Sequence, residues 1–213
     1  MPRSNIQLEE QELYDFNAKS KTTYDKIADG YDDSFDGKFT RKFKRLLSDN
    51  IDLEDNVNVL DVACGNGSLL TLLSEKRTIQ GFGVDISEQM IKNAVANNPD
   101  MEFYVAGCEV MPIENDTMDL ITVSAAYHHF LDVEAFAKEA KRVLKVNGRI
   151  YIAEIYLNCI LRFICNPFVP LSRAGDVKFY SPKQILNNFK QFGFEKIDVI
   201  VSEGVQIVSM KKL

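Results

Sequence analysis

Val57-Asn58-Val59-Leu60-Asp61-Val62-Ala63-Cys64-Gly65-Asn66-Gly67-Ser68-Leu69 is the stretch whose reading decides the fold. Residues 57–62 are short, β-branched and apolar, and predict a strand. The chain then enters a glycine loop. Leu69, Leu70, Leu72 and Leu73 predict a helix over 68–76. Glycine lets a backbone turn sharply and lets a ligand approach the main chain. The helix start beyond it offers unpaired N–H groups. A strand–glycine loop–helix unit is the opening of a doubly wound parallel sheet.

The flanking chain repeats the alternation. Strands are predicted over 79–84, 101–105, 118–124 and 149–155. Ser87 is placed to cap a helix carrying Met90, Ile91, Ala94 and Val95. Val133, Phe136, Ala137, Ala140, Val143 and Leu144 share one helical face, and Asn147-Gly148 is read as that helix's end. Ser181-Pro182 opens a helix through about Phe192, which Gly193 closes. Residues 194–201 and 205–210, joined by Ser202-Glu203-Gly204, form an antiparallel hairpin. Upstream, residues 1–50 read as polar helices with Leu13, Phe16, Tyr24, Ile27 and Tyr31 on an irregular stripe, then a helix over 39–48. No repeat or low-complexity linker interrupts the chain, so one domain is expected over 1–213. Its parts are N-terminal helices or a lid (1–50), a cofactor-binding core (57–156), a substrate-side insertion (157–180) and a terminal helix with hairpin (181–213).

At 213 residues the chain is long enough for a full core without staples. A net charge of -6 with both signs interspersed argues against nucleic acid as the main partner. The basic cluster Arg41-Lys42-Phe43-Lys44-Arg45 reads as a solvated helix face. The four cysteines, Cys64, Cys108, Cys159 and Cys165, lack CxxC spacing, and the adjacent pair His128 and His129 gives no zinc-ligand pattern. No metal is therefore expected. The polar N-terminus is unlike a secretory signal, and no apolar run reaches the ~18 residues of a membrane span. Cytoplasm is the default expectation, and a homodimer is compatible with the sequence.

Two acids define the expected ligand. Asp85 closes the second strand, where a carboxylate suits a ribose diol. The pyrophosphate fingerprint G-x-G-x-x-G is not met, because Leu70 stands three residues after Gly67. Asp61 would repel phosphate yet suit an ammonium group. A ligand with a ribose and a positive end is expected, and S-adenosylmethionine has both.

At these residues the chain resembles the class I S-adenosylmethionine-dependent methyltransferases. Val59 to Leu69 is similar to their first motif, D-x-G-C-G-x-G, and Gly81 to Met90 to the second, whose acid holds the ribose. Glu109-Val110-Met111-Pro112 with Met118-Asp119-Leu120 resembles the stretch before strand four, and Arg142 to Ile150 the passage into strand five. The likeness covers roughly residues 20–155 and is greatest to the small-molecule branch of the ubiquinone and menaquinone biosynthesis methyltransferases. It implies a Rossmann-like, seven-stranded sheet of order 3-2-1-4-5-7-6, mostly parallel, with the hairpin supplying the reversed strand. It also implies S-adenosylmethionine held by Tyr24, Tyr31, Asp61, Ala63, Cys64, Gly65, Gly67, Asp85, Ile86, Met90, Cys108, Glu109 and Ser124. Two departures stand out. Ala63 replaces a common glycine, and Gly107 replaces an Asp that accepts from the adenine amino group.

Methyl transfer from a sulfonium is an in-line displacement that rests on positioning, with a base only where the acceptor loses a proton. His128, after strand four, is the candidate base. The apolar connection from Tyr156 to Tyr180, with Phe35 and Phe39, is a candidate cap over the acceptor. The acceptor is expected to be a small, partly apolar metabolite. A protein or nucleic-acid acceptor, or a cofactor-binding regulatory module without turnover, are the alternatives.

Overall fold

In the computed structural model, which describes residues 18–172 and 175–213, Val57–Val62 (β1) lies inside a seven-stranded sheet. It pairs in parallel with Ile79–Asp85 (β2) on one side and Met118–Ser124 (β4) on the other. Glu102–Val105 (β3) extends the β2 edge. Leu144–Ile155 (β5) continues beyond β4. Phe194–Ser202 (β6) and Val205–Lys212 (β7) form the hairpin, and β7 runs antiparallel to β5. The order is β3-β2-β1-β4-β5-β7-β6, as the resemblance implies.

Period-two alternation divides β1 between two apolar layers. Leu60 and Val62 join one core cluster with Phe136 and Ala140 of the helix Val133–Val143 and Ile185 and Phe189 of the helix Pro182–Lys190. Val59 joins the other, with Phe43 and Leu47 of the helix Phe35–Asn50 and Leu69 and Leu73 of the helix Ser68–Ser74. In chain order the helices are α1 (18–27), α2 (Phe35–Asn50), α3 (Ser68–Ser74), α4 (Glu88–Asn97), α5 (Val133–Val143), α6 (Cys159–Cys165) and α7 (Pro182–Lys190).

The caps form as expected. The Ser87 side chain accepts from the Met90 N–H, and Ser181 with Gln184 makes a capping box ahead of Pro182. Three boundaries differ from expectation. α2 begins four residues early, because the Ser34 side chain accepts from the Gly37 N–H and caps it there. α7 stops at Lys190 rather than near Phe192. Asn147-Gly148 does not end a helix. α5 stops at Val143, and Leu144 is already extended and paired with Met118. The turn-like dipeptide instead sits in a bulge inside β5, where the register jumps between Met118 and Leu120 and Asn147 has φ 65°. Leu13 and Phe16 lie outside the described residues.

The N-terminal segment is tied over the carboxyl ends of β1 and β2. Asp25 accepts from the Ser87 hydroxyl at 2.5 Å, and the Asn66 side chain donates to Asp32 at 2.9 Å. Asn93 donates to the carbonyl of Ala28 at 3.0 Å. No helix among the described residues is long and apolar enough to cross a membrane.

Candidate functional site

The glycine loop turns on three left-handed residues, Ala63 (φ 57°), Gly65 (φ 54°) and Gly67 (φ 77°). Ala63 is therefore not a neutral replacement for glycine, since an L side chain in that region is strained by about 1–2 kcal/mol. The loop opens onto a pocket at the carboxyl ends of β1, β2 and β4, with about 930 Å³ of atom-free space, part of it continuous with solvent. A cleft of that size in this place is where an open α/β sheet binds its ligand.

Of the residues expected at the cofactor, Tyr24, Tyr31, Asp61, Ala63, Cys64, Gly65, Asp85, Ile86, Met90, Cys108, Glu109 and Ser124 all line this pocket. Gly67 does not. A Cβ there would stand 2.7 Å from Asn98 Nδ2 and 3.3 Å from Ala94 Cβ, so its place is the packing of the loop against α4. The wall also includes His129 and Phe130 of the segment after strand four, and Lys44, which the sequence reading took for a solvated cation. Among the described residues, none of the 156–180 connection is on it, and Phe35, Ile160, Phe163 and Phe168 are exposed. The expected apolar cap is thus not closed over the pocket in this structure.

Asp61 is 2% exposed and accepts from the Thr122 hydroxyl at 2.7 Å. Burial pushes its carboxyl up to about 7, against the opposing pull of Thr122 and of Lys44. Burial in turn lowers Lys44, while Asp61 and Asp32 hold its charge. Lys44 also donates to Ser68 at 2.6 Å and stands 5.6 Å from the centre of the Tyr31 ring. A buried acid and a half-buried base on one wall form a cradle for a zwitterion.

Asp85 is raised by burial, an effect opposed by the N–H groups of Ser87 and Gly65, each donating at 2.9 Å. Those two bonds leave acceptor capacity on both oxygens. Burial raises the thiols of Cys64 and Cys108 well above their usual range, so both remain neutral. Ser124 Oγ is buried with no hydrogen-bond partner.

The departure at Gly107 has a physical counterpart. A Cβ at that position would meet Glu109 Oε2 at 2.7 Å. The Glu109 carboxylate therefore occupies the space that an acidic side chain at position 107 would enter, and it lines the same wall.

The two histidines lie side by side in different surroundings. They sit in the 3-10 turn Tyr127–His129, and only His129 reaches the pocket. Its Nε2 lies 3.1 Å from the Tyr24 hydroxyl. Burial and the neighbouring His128 charge push it down to about 3, so it is neutral. His128 is 7% exposed, with Nδ1 donating to Glu154 at 2.8 Å and Nε2 3.4 Å from Asp176. Burial alone would lower it, but Glu154 and Asp176 outweigh burial and hold it at about 10. The geometry does not favour the expected role of His128 as base. The ring is off the pocket wall, and its nitrogens are engaged by carboxylates.

The family described as "Methyltransferase domain" matches residues 60–152. A demethylmenaquinone methyltransferase of Thermotoga maritima is 30% identical over 202 residues, covering 81% of this chain and 86% of that protein. The chain belongs to the class I S-adenosylmethionine-dependent methyltransferases. Among solved structures, this methyltransferase superposes with a TM-score of 0.75 on a complex of the Haloferax volcanii Trm112 methyltransferase activator with its methyltransferase. The identity there is 20%, covering 88% of this chain and 96% of that one. A geranyl diphosphate methyltransferase bound to geranyl diphosphate and sinefungin gives 0.70 at 12% identity, covering 81% and 77%. At those identities the structures speak to the fold alone. The cofactor of this enzyme is S-adenosylmethionine.

Proposed function

We propose that this methyltransferase transfers the methyl group of S-adenosylmethionine to a small, partly apolar acceptor. The observation that carries the reading is the charge layout of the pocket. Asp61 takes the ammonium of the methionine end and Lys44 its carboxylate. Asp85 accepts from the ribose hydroxyls, and Glu109 accepts from the adenine amino group in place of the side chain missing at Gly107. The main chain at Ala63, Cys64 and Gly65 lets the cofactor approach closely, while Ile86, Met90 and Cys108 give it apolar contact. Tyr31 and the orphan Ser124 hydroxyl border its reacting end.

The acceptor then lies against Tyr24, Ala125, Ala126, His129 and Phe130. These side chains are uncharged and largely apolar, which suits a desolvated in-line displacement. Neither histidine is a ready base in this state, so positioning carries the transfer. A relative named as a demethylmenaquinone methyltransferase supports a small-molecule acceptor.

Calorimetry with S-adenosylmethionine and with its demethylated product tests the cofactor layout. Formation of that product across a panel of quinols, phenols and prenylated metabolites tests the acceptor. Tight binding with turnover only on polar or macromolecular acceptors would refute the proposal.

A further inference from the structure

Asp176 arrives from the connection after β5 and meets the two histidines beyond β4. Its Oδ1 lies 3.4 Å from His128 Nε2 and 3.2 Å from His129 Nδ1. One donor atom from each of the three residues lies within 4.8 Å of the others. His129 Nδ1 is buried and, despite that short distance, makes no aligned hydrogen bond. A buried imidazole nitrogen left without an aligned hydrogen-bond partner beside a carboxylate is an unfavourable arrangement. A cation between them removes the conflict.

We propose that His128, His129 and Asp176 form a site for a divalent transition-metal ion. Three donors about 2.1 Å from one ion stand roughly 3.0 Å apart in cis octahedral positions and roughly 3.4 Å apart in tetrahedral ones. The two separations to Asp176 fall within that window. The outer shell is also in place. His128 Nδ1 donates to buried Glu154, which leaves Nε2 for the ion. His129 Nε2 is engaged by the Tyr24 hydroxyl at 3.1 Å, which leaves Nδ1 for it. Fixing the far nitrogen of each ligating histidine is the usual support of such a centre. Two imidazoles and one carboxylate favour ions such as Zn2+ or Fe2+ over Mg2+.

The ion would pin the 156–180 connection to the pocket wall through His129, and it takes the place of the His128 proton that otherwise faces Asp176. The adjacency of the histidines gave no metal pattern in the sequence because the third ligand lies 47 residues further along the chain (176 − 129).

The test uses full-length protein stripped by a chelator and titrated with Zn2+ by calorimetry, with elemental analysis after gel filtration. One ion per chain is expected, with a rise in Tm. Glu154→Gln should weaken binding about 10–100-fold. Asp176→Ala and His129→Ala should abolish stoichiometric binding. The double variant Cys159→Ser/Cys165→Ser should keep it, because those thiols lie outside the cluster. No ion bound, or undiminished binding in Asp176→Ala, overturns the proposal. S-adenosylmethionine binding by the metal-free protein is measured alongside. If the cofactor binds while Zn2+ does not, the metal site falls and the methyltransferase reading stands.

Discussion

If Asp61 holds the ammonium of the cofactor, binding should weaken in mild acid. In the free protein its carboxyl titrates at about 7, raised by burial. The cofactor's ammonium binds the carboxylate, so below that pH a proton must leave before the cofactor enters. Between pH 8 and pH 5 the ionised fraction falls from most to about one in a hundred, which weakens Kd by roughly 90-fold, or about 2.7 kcal/mol. Stability runs the other way. The folded pKa lies above the ordinary carboxylate value of 3.8. The native state therefore binds the extra proton, and stability present at low pH is lost as pH rises from about 4 through about 7. Cofactor binding restores it, so the Tm increment given by S-adenosylmethionine should be larger at pH 8 than at pH 5.5. Calorimetric Kd values across pH 5–8 test this on wild type and Asp61→Asn. The variant should lose most of the slope and bind about 10–150-fold more weakly at pH 8, the worth of a charge-assisted hydrogen bond. Lys44, Asp85 and Cys64 also face Asp61, and any slope that survives in Asp61→Asn belongs to Asp85, whose carboxyl burial also raises. A Kd that stays flat with pH, or an Asp61→Asn variant with the full slope, refutes the reasoning.

Lys44→Met should weaken S-adenosylmethionine by about 10-fold or more, while affinity for methylthioadenosine, which lacks the amino-acid end, stays near wild type. Glu109→Ala should weaken adenosine and S-adenosylmethionine alike, read as Kd by calorimetry, and leave a ligand without the amino group unaffected. Glu154→Gln leaves His128 buried with one carboxylate partner fewer; a cost of about 3 kcal/mol should lower Tm by roughly 6–12 °C in a thermal scan. Gly67→Ala forces a side chain onto Asn98 at φ 77°. It should cost about 1–3 kcal/mol in a urea titration with little change in cofactor Kd, because Gly67 is off the pocket wall.

The cofactor half of the site was legible because its signals are local. A strand, a glycine loop and an acid at the end of the next strand lie within residues 57–85 and announce themselves by residue type. The reading failed where one local pattern serves two structures. Asn147-Gly148 marks a helix end and a β-bulge equally well, and the pairing of Leu144 with Met118 decided between them. Lys44 read as one more solvated cation, since only the packing of α2 against the loop shows which member of the basic cluster faces Asp61. His128 and His129 exchanged places for a similar reason. The two rings lie side by side with centroids 4.1 Å apart, and sequence order does not say which of them meets the pocket. Asp176 carried no signal at all, because its partners come from another strand end.

The antiparallel seating of β7 beside β5 has a consequence for how such an enzyme diversifies. Ile155 pairs with Val205, so the hairpin tip comes up beside the end of β5, where the Gly204 carbonyl accepts from the Tyr156 N–H and Glu203 binds Arg45 of α2 at 3.0 Å. The sheet is finished at that point, and the described residues of the 156–180 connection leave and return without supplying a strand. That connection can lengthen, shorten or change its residues at no cost to strand register, while the residues proposed for the cofactor stay on the N-terminal helical segment, the carboxyl ends of β1, β2 and β4 and the segments after β1, β2 and β3. Under the proposed layout, inheritance can rewrite the connection while the residues that hold the methyl donor stay constant.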